Sequence, residues 1–566
     1  MKKIICAVLA AVLLVSTLAF AACGGGNSAT TLLVYGWGDQ DSLPVFNELI
    51  EDFNETVGAE TGYEAKFVVE NTNYETLLET AISGDRGPDV FFVKDQYFKK
   101  WVKLGFAEPL DSYVTENTGL DDMWESAVSR FRYTVSNNTS TADSPLYGLP
   151  LDNSTTALYY NKTALEAVGI IVISCDEENV TDEFAQQFNA EHGTSLTATD
   201  LRRGFYRDNP VSDGYWMMPA DGETMVFNNR IPMSWDEIED LARILTKSAE
   251  YNPASPTDFG YYTEWWFNYG FSVGGDCIED TTGDGDWTFT LGDDAANYIV
   301  NEACEIDGHS YAAGDFVSHN DKQYLQDNIS AANALVSEGK ISELPSTREA
   351  FSRFVNLSQT AERGGIEVSP TTTGVTGSGQ QKSGFFANQK VALLVDYSYN
   401  AAAIRRLVGD TFEWDVAPLP MYKDYNADGT VRVAGKEAGH SSSSAMAIST
   451  KSNKKDIAFR FIEYWTGVEG QSVVAASGFN VPNQSSLLDT YYASVSSPAN
   501  MRVFAEAAEV QTPGDWWYMP DKLWIDSWAQ ALNQKVRNNS GMTLDEFFAQ
   551  FNASTLDSEL AKYKEN

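Results

Sequence analysis

Cysteine and histidine are scarce in this chain, which limits the disulfide, metal-binding and catalytic roles that it can have. Its 566 residues include five cysteines and four histidines. Cys6 and Cys23 lie in the N-terminal segment, which leaves three cysteines, too few for a disulfide scaffold. A bridge between Cys277 and Cys304 and buried free thiols both stay open as interpretations. Four histidines limit metal or general-base chemistry.

Known catalytic motifs are missing as well. The stretch "GHSSSS" at 439–444 has serines but no Gly-x-Ser-x-Gly elbow, and His-Glu-x-x-His does not occur. The stretch "GVTGSGQQKSG" at 374–384 fits neither a phosphate-binding loop nor a dinucleotide turn, and indicates a flexible loop. The sequence therefore predicts no catalytic residue and no cofactor. A pair of glycosidase carboxylates stays open, because 80 acidic residues offer pairs at any spacing.

Positive charge is also in short supply. The chain has 39 Lys and Arg against 80 Asp and Glu, and its net charge is −41. Such a charge repels nucleic acid and anionic lipid headgroups and disfavours a strongly anionic ligand. We therefore expect no nucleic-acid partner, and solubility in an exposed location is the simplest reason for the charge.

One stretch has the start of a calcium-binding loop. In "DYNADG", Asp424, Asn426 and Asp428 stand at the spacing of calcium ligands. Gly435 occupies the twelfth position, where a glutamate is expected. Because the stretch lies between two predicted strands, we favour a hairpin turn over a metal site.

The N-terminus has the pattern of a secretory signal. Two lysines precede an apolar run at 4–22, which predicts a signal peptide over 1–22. An uncleaved membrane anchor is the alternative, since the run almost suffices to span a bilayer. The tail "FAAC" resembles a bacterial lipobox, with Phe20 where leucine is usual. The resemblance implies that Cys23 is lipidated, that 23–30 form a tether, and that the protein is anchored at the outer face of the cell membrane.

The pattern after residue 30 alternates between strands and helices. Buried strands are predicted at 32–35, 63–70 and 88–93, with amphipathic helices between them. This order predicts an α/β fold with parallel pairing. Ser234 with Glu237, and Thr543 with Glu546, predict capping boxes at helix starts. The polar stretches 171–230 and 305–380 are predicted to be insertions or extra helices.

Several stretches, taken in order, resemble the extracellular solute-binding protein family 1, the carbohydrate receptors of ATP-binding-cassette (ABC) importers, of which maltose-binding protein is a familiar relative. The stretches that carry this resemblance are "AISGDRGPDVFFVKDQYFKKWVKLGFAEPLDSYV", "LYGLPLDNSTTALYYNKTALEAVGI", "MSWDEIEDLA", "FFANQKVALLVDYSY", "WDVAPLP" and "AMAISTKSNKKDIAFRFIEYWTGVEGQ". The resemblance implies a two-lobed periplasmic-binding-protein-like fold with a hinge and ligand in the cleft.

The resemblance also implies how the chain divides. Crossings between the lobes are expected near 151–154, 439–442 and 481–485. Lobe one would hold 31–151 and 440–482, and lobe two 152–439 and 483–566.

Ligand-binding residues follow from the loops and from the family's pattern. Aromatic rings pack against the apolar faces of sugars, while acids and amides bond the hydroxyls. Gly38-Asp39 matches a family Gly-Asp pair, whereas Val93 stands where maltose-binding protein has a stacking tryptophan, which argues against maltose itself. The predicted ligand-binding residues are Trp37, Asp39, Gln40, Asp95, Gln96, Asp152, Asn153, Glu264, Trp265, Trp266, Tyr399, Trp516, Trp517 and Trp524.

Each of these residues also has a plain structural interpretation. A single tryptophan is often a packing residue, and aspartates at strand ends often cap the next helix. Adjacent tryptophans are better candidates, because two neighbouring side chains cannot both enter one core.

Three functions were compared. The favoured one is a monomeric, non-enzymatic lipoprotein that captures a neutral oligosaccharide and delivers it to an ABC permease. A surface glycoside hydrolase is the alternative, and it would need two carboxylates roughly 5–10 Å apart across the sugar. A surface adhesin would be favoured by regular repeats, and the sequence has none.

Overall fold

The computed structural model describes residues 30–84, 86–209, 216–281, 287–371, 379–519 and 523–551. The predicted signal peptide and Cys23 lie outside the described residues. Among the helices of the described ranges, none is both long and apolar enough to cross a membrane.

The first of two large sheets has five strands. In spatial order they are Glu64–Val69, Thr31–Gly36, Val90–Lys94, Ser444–Ile448 and Leu149–Pro150. The first three are parallel, as the alternating pattern predicts. The strand Ser444–Ile448 joins antiparallel to both of its neighbours, so the sheet is mixed. Helices pack against this sheet, which is why Val90–Lys94 is an almost unbroken apolar run.

Helices cover this first sheet. They are Leu43–Phe53, Ala59–Thr61, Tyr74–Ser83, Asp95–Lys103, Glu125–Val128, Lys455–Thr466 and Val468–Ser477, with a π-helical segment at Asn54–Gly58. Their apolar faces meet the sheet in one core, in which Leu32, Phe91 and Trp465 are buried.

The second large sheet has four strands. In spatial order they are Trp414–Ala417, Thr156–Asn161, Val391–Tyr397 and Phe259–Tyr262. Thr156–Asn161 runs antiparallel to both neighbours, and Val391–Tyr397 is parallel to Phe259–Tyr262. This sheet is therefore also mixed.

Further helices follow or pack around the second sheet. They are Lys162–Ala167, Trp235–Ile244, Phe267–Gly270, Thr347–Asn356, Gly379–Ala387, Asn400–Val408, Leu488–Ser494, Arg502–Ala507, Leu523–Leu532 and Leu544–Phe551, with a π-helical segment at Asn533–Arg537. Single 3₁₀ turns lie at Glu116–Thr118, Leu120–Asp122, Ser129–Phe131, Glu177–Asn179, Phe271–Val273, Ala361–Arg363, Ser485–Leu487 and Asp515–Trp517.

Both predicted capping boxes are present. The Ser234 hydroxyl accepts the Glu237 N–H at 3.1 Å, and Glu237 Oε2 accepts the Ser234 N–H at 2.9 Å. Thr543 and Glu546 make the same reciprocal pair at 3.2 and 2.9 Å.

The irregular stretches form small units of their own. Residues 171–228 hold a sheet of Ile171–Ile173, Met225–Asn228 and Phe205–Arg207 with helices Asp182–His192 and Ala198–Leu201. Residues 278–344 hold the strand pairs Ile278–Asp280 with Trp287–Phe289, Asn297–Val300 with Ile341–Leu344, and Cys304–Ile306 with His309–Tyr311, and helices His319–Asp327 and Ile329–Ser337. Each unit has a satellite core.

The suspected calcium stretch is a hairpin. Strands Lys423–Tyr425 and Val431–Ala434 flank it. Asp424 pairs with Arg432, and the Asp428 carboxylate accepts the Thr430 hydroxyl at 2.6 Å. In the part of the chain that the structure describes, no group of three acidic, histidine or cysteine residues could hold a metal ion.

The cysteines were left open by the sequence. The structure does not join Cys277 to Cys304: the first is buried in the core of the second sheet, and the second is half-buried in a hairpin.

Two backbone segments cross between the large sheets side by side. Ser154 and Ser442 exchange backbone hydrogen bonds at 2.9 and 3.0 Å. The Asn480 amide, on a third segment, donates to the Ser154 hydroxyl at 2.9 Å. Beside them, the strands His440–Ser441 and Thr512–Pro513 run parallel. These contacts form the hinge of a two-lobed α/β fold.

Candidate functional site

A cavity of about 1050 Å³ lies between the two sheets, beside the hinge. The predicted residues that line it are Trp37, Asp39, Gln96, Asp152, Glu264, Trp265, Trp266, Tyr399 and Trp516. The sequence places these side chains far apart, and the fold brings them to one space. Its walls come from loops that follow strands of both sheets, where ligands of open α/β sheets bind.

In the loop after the first strand, Asp39 has both roles that the sequence left open: it bonds the start of the next helix, and it lines the cavity. The Asp39 carboxylate accepts backbone N–H groups of Asp41 and Ser42, at 3.0 and 2.9 Å. The Ser42 hydroxyl accepts the Asp39 N–H at 2.8 Å, and Ser42, at the N-cap position of helix Leu43–Phe53, makes no side-chain capping bond. Asp39 therefore fixes the turn into this helix while it also lines the cavity.

Trp37 forms part of the wall from the first sheet. Its ring packs edge-on against Tyr74 and Phe92, with centroids 5.1 and 5.4 Å away. Lys94 Nζ lies 4.9 Å from the ring centroid. The ring is thus held by the core and is half-buried at the cavity.

The opposite wall is aromatic. Trp265 and Trp516 lie with ring centroids 5.5 Å apart, although they are distant in sequence. Trp266 also lines the cavity, but its ring is buried in the core and packs edge-on against Phe351, 5.7 Å between centroids. The adjacent tryptophans 265 and 266 both reach the cavity and both pack on the same core, contrary to the expectation that two neighbouring side chains cannot share one core.

Two tyrosines on alternate positions stack beside the hinge. Tyr397 and Tyr399 have centroids 5.2 Å apart and planes 14° apart. The Tyr397 hydroxyl and His440 Nε2 are hydrogen-bonded at 2.9 Å. Burial, together with the charges of Lys382 and Arg130, lowers the pKa of His440 to about 3, so the imidazole is neutral near pH 7.

Lys382 forms a charged cluster with two carboxylates. Its Nζ lies 2.9 Å from Glu264 Oε2 and 3.1 Å from Asp396 Oδ1, and 5.4 Å from the Tyr397 ring centroid. Burial lowers the pKa of Lys382, but the charges of Asp396 and Glu264 outweigh it and raise the pKa overall. Lys382 is therefore a charged donor at the cavity whose charge the two acids balance.

Asp152 and Asn153 diverge at the first crossing. Asp152 lines the cavity, and its carboxylate accepts the Ser444 N–H at 3.0 Å. Burial raises the pKa of Asp152 to about 6. Asn153 is fully buried and is not among the cavity-lining residues; its amide lies 3.4 Å from the Ser126 hydroxyl.

Asp95 lies beneath the cavity and not on its surface. It is buried against Arg130, 3.4 Å away, and Arg130 donates to the Ser441 carbonyl at 2.6 Å. Burial raises the pKa of Asp95 despite Arg130. The neighbouring Gln96, whose N–H donates to Asp95 at 2.7 Å, lines the cavity.

The remaining residues that were predicted to bind ligand are Gln40, Trp517 and Trp524. The Trp517 indole donates to the Arg130 carbonyl at 3.1 Å, with Lys99 Nζ 3.9 Å from its ring. Gln40 lies against Arg406 at the mouth of the cavity. Trp524 falls in helix Leu523–Leu532, and its side chain lies outside the described part. Gln40 and Trp517 do not line the cavity.

Sequence reasoning missed several lining residues, among them Ser154, Lys382, Tyr397, Asn480 and Asp526. Tyr397 had a signal, because it stands two positions before the predicted Tyr399 in the stretch "VDYSY". Lys382 had no such signal in the sequence, since the stretch at 374–384 that contains it indicated only a flexible loop.

The two sheets and the cleft define a class of architecture: a two-lobed α/β fold with a cavity beside its hinge. Residues 37–192 match the model of the bacterial extracellular solute-binding protein family. The resemblance predicted from the sequence is thereby confirmed over this range.

Solved structures extend the likeness in fold over most of the chain. One is an ABC substrate-binding protein from Listeria monocytogenes in complex with cycloalternan, with 14% identity and a TM-score of 0.55, covering 94% of this chain and 98% of that chain. Another is an ABC transporter solute-binding protein from Thermotoga lettingae bound with alpha-D-tagatose, with 16% identity and a TM-score of 0.57, covering 94% and 100%. A third is the sugar-binding protein MalE from Xanthomonas citri, with 17% identity and a TM-score of 0.55, covering 94% and 98%. The predicted two-lobed fold is confirmed.

Proposed function

We propose that this protein is the substrate-binding lipoprotein of an ABC-type importer, and that it captures a neutral oligosaccharide in the cleft. The observation that carries the proposal is the composition of the cavity wall. Half-buried and buried rings of Trp37, Trp265, Trp516 and Tyr399 stand opposite one another, interleaved with carboxylates and amides. Rings suit the apolar faces of sugars, and the polar groups suit their hydroxyls.

The charge of the cavity supports a neutral ligand. Its charged lining residues are Asp39, Lys94, Asp152, Glu264, Lys382 and Asp526. Acids outnumber bases, and both bases have acidic partners: Lys94 pairs with Glu75 at 3.0 Å, and Lys382 with Glu264 and Asp396. An anionic ligand would find no unbalanced cation among these residues.

Transport follows from lobe closure and breaks no bond in the ligand. A ligand that contacts both walls binds the closed form better than the open form, and this difference in affinity shifts the population toward closure. The closed form is then what a membrane permease would receive. The similarity in fold to the sugar-binding protein MalE of Xanthomonas citri and to the ABC transporter solute-binding protein of Thermotoga lettingae supports this role.

A lipid on Cys23 would keep the receptor at the outer face of the cell membrane. The lipobox-like tail and the glycine-rich stretch after it support this anchoring. A single receptor copy, with the ligand between its own lobes, would suffice for delivery.

The test is a panel of oligosaccharides added to the protein from Asn27 onward, read by tryptophan fluorescence and thermal shift. We expect one sugar class to change the fluorescence and to raise the melting temperature with increasing concentration. The sugar recovered afterwards should be intact by chromatography. No response to any member, or cleavage of the sugar, would contradict the proposal.

A further inference from the structure

One ion pair connects the two walls at the mouth of the cleft. Arg406 lies on helix Asn400–Val408, which follows a strand of the second sheet. Its Nε and Nη2 lie 3.0 and 2.9 Å from the two carboxylate oxygens of Asp41, in the loop after the first strand of the first sheet. The Gln40 side-chain amide lies against the same guanidinium, and in the orientation that satisfies both groups its oxygen accepts from Arg406 Nη2 at 2.7 Å.

Both ends of this contact adjoin cavity residues. On one side, Asp39 and Ser42 line the cavity and belong to the same turn as Asp41. On the other side, Tyr399 is the residue before helix Asn400–Val408 and lines the cavity too. The pair therefore joins the loop and the helix that form the two edges of the site.

The exposure of the pair suits a contact that can break and re-form. The Arg406 side chain is 38% exposed and that of Asp41 14%. If the lobes separate, both groups pass into water and no buried charge is left without a partner. Arg130 and Asp95, in contrast, are both fully buried and cannot open at such low cost.

We propose that Arg406 is a positioning residue that latches the cleft through Asp41 and Gln40, and that it slows the release of ligand. The expected effect of Arg406 on ligand release rests on the proposed function. Its expected effect on lobe closure rests on the geometry alone. The bidentate pair holds the Asp39 turn against the Tyr399 helix whenever the lobes are closed. Because the pair exists only in that state, it stabilises the closed form over the open one.

The kinetic test compares the wild type with Arg406→Ala, using the oligosaccharide that responds in the panel. We expect the dissociation rate to rise about fivefold, with a smaller change in the association rate. Raising the salt concentration should speed release from the wild type and leave the variant nearly unchanged. The charge-swapped pair Arg406→Glu with Asp41→Arg should recover slow release.

The matched control is Arg460→Ala. Arg460, on helix Lys455–Thr466, forms an exposed pair with Glu60, on helix Ala59–Thr61, 3.1 Å apart, and both helices cover the first sheet. This variant loses an arginine side chain and its contact with a carboxylate, as Arg406→Ala does, but the lost contact lies outside the cleft. We expect release, salt dependence and melting temperature close to the wild type.

A second readout needs no ligand. Small-angle X-ray scattering in low salt should give a larger radius of gyration for Arg406→Ala than for the wild type and Arg460→Ala. If scattering changes but no sugar binds, the proposed function fails while the latch stands. The latch would be overturned if Arg406→Ala had the same radius of gyration as the wild type. It would also be overturned if Arg406→Ala released ligand as slowly as the wild type and Arg460→Ala.

Discussion

Single residues around the cavity have pKa values that differ from those in water. Burial keeps His440 neutral against the Tyr397 hydroxyl, and it raises the pKa of Asp152 to about 6. Lys382 stays charged because Glu264 and Asp396 surround it. These groups make the site hydrogen-bond-rich while limiting its net charge, which suits uncharged hydroxyls.

His440 should make folding sensitive to acid. Its folded pKa is about 3, whereas an unfolded histidine titrates near 6.5. Below pH 6.5 the unfolded chain binds a proton that the folded protein refuses, so stability falls as the pH falls toward 3. This one group should cost about 2 kcal/mol between pH 7 and pH 5.

Urea unfolding of the wild type and of His440→Gln at pH 7 and at pH 5 measures the contribution of His440 to the change in stability. The other titratable groups are the same in the two proteins, so their contributions cancel in the comparison. Glutamine keeps a hydrogen-bonding group near Tyr397. We expect the variant to be less stable than the wild type at pH 7, and to lose less stability at pH 5. An equal loss in both proteins would show that His440 is not held neutral.

Trp265 is the aromatic residue whose removal should affect binding most cleanly. Its half-buried ring lines the cavity, while its neighbour Trp266 holds the core. Trp265→Ala should weaken sugar binding about tenfold, since it removes one stacking surface. Isothermal titration measures this, with Trp287→Ala as control because Trp287 is half-buried outside the cavity. Equal affinities in both variants would remove Trp265 from the site.

At the scale of elements, local signals decide where helices begin. Ser234 is the buried N-cap of helix Trp235–Ile244 and forms a reciprocal pair with Glu237. Ser234→Ala should lower the unfolding free energy by about 1–2 kcal/mol, because a helix N–H loses its partner. Chemical unfolding should show no comparable loss for Ser337→Ala, an exposed serine at a helix end. Equal midpoints would contradict the cap's role.

The strands and helices of the large sheets could be read from the sequence because local patterns specify them. Val90–Lys94 is a continuous apolar run, and Leu43–Phe53 has apolar residues at helical spacing. The mixed pairing could not be read, because Ser444–Ile448 enters the first sheet from more than 300 residues away. Local pattern does not encode such long-range pairing.

Site prediction failed where the decisive information was three-dimensional. Asp95 and Asn153 stand beside the lining residues Gln96 and Asp152, yet their side chains turn into the buried hinge. Adjacent side chains point in different directions both at the start of helix Asp95–Lys103 and in the crossing segment, so a strand-end loop predicts a region better than a residue. Lys382 went unnoticed, because its role depends on carboxylates far away in sequence.

At the scale of the whole molecule, two mixed sheets with separate cores meet at crossing segments. Such an arrangement keeps each lobe rigid and concentrates motion at the crossings, near Ser154 and Ser442. The cavity lies where that motion changes its width. Under the proposed function, binding and closure are coupled, and the proposed latch at Arg406 is one contributor.

The central claim is that the cavity binds a neutral oligosaccharide of limited length. Isothermal titration of a series from disaccharide to heptasaccharide, in the class found by the panel, tests it most directly. We expect one site per chain, with affinity that rises with length and then levels off once the cavity of about 1050 Å³ is filled. Affinity that does not depend on length, or no binding by any member, would contradict the account.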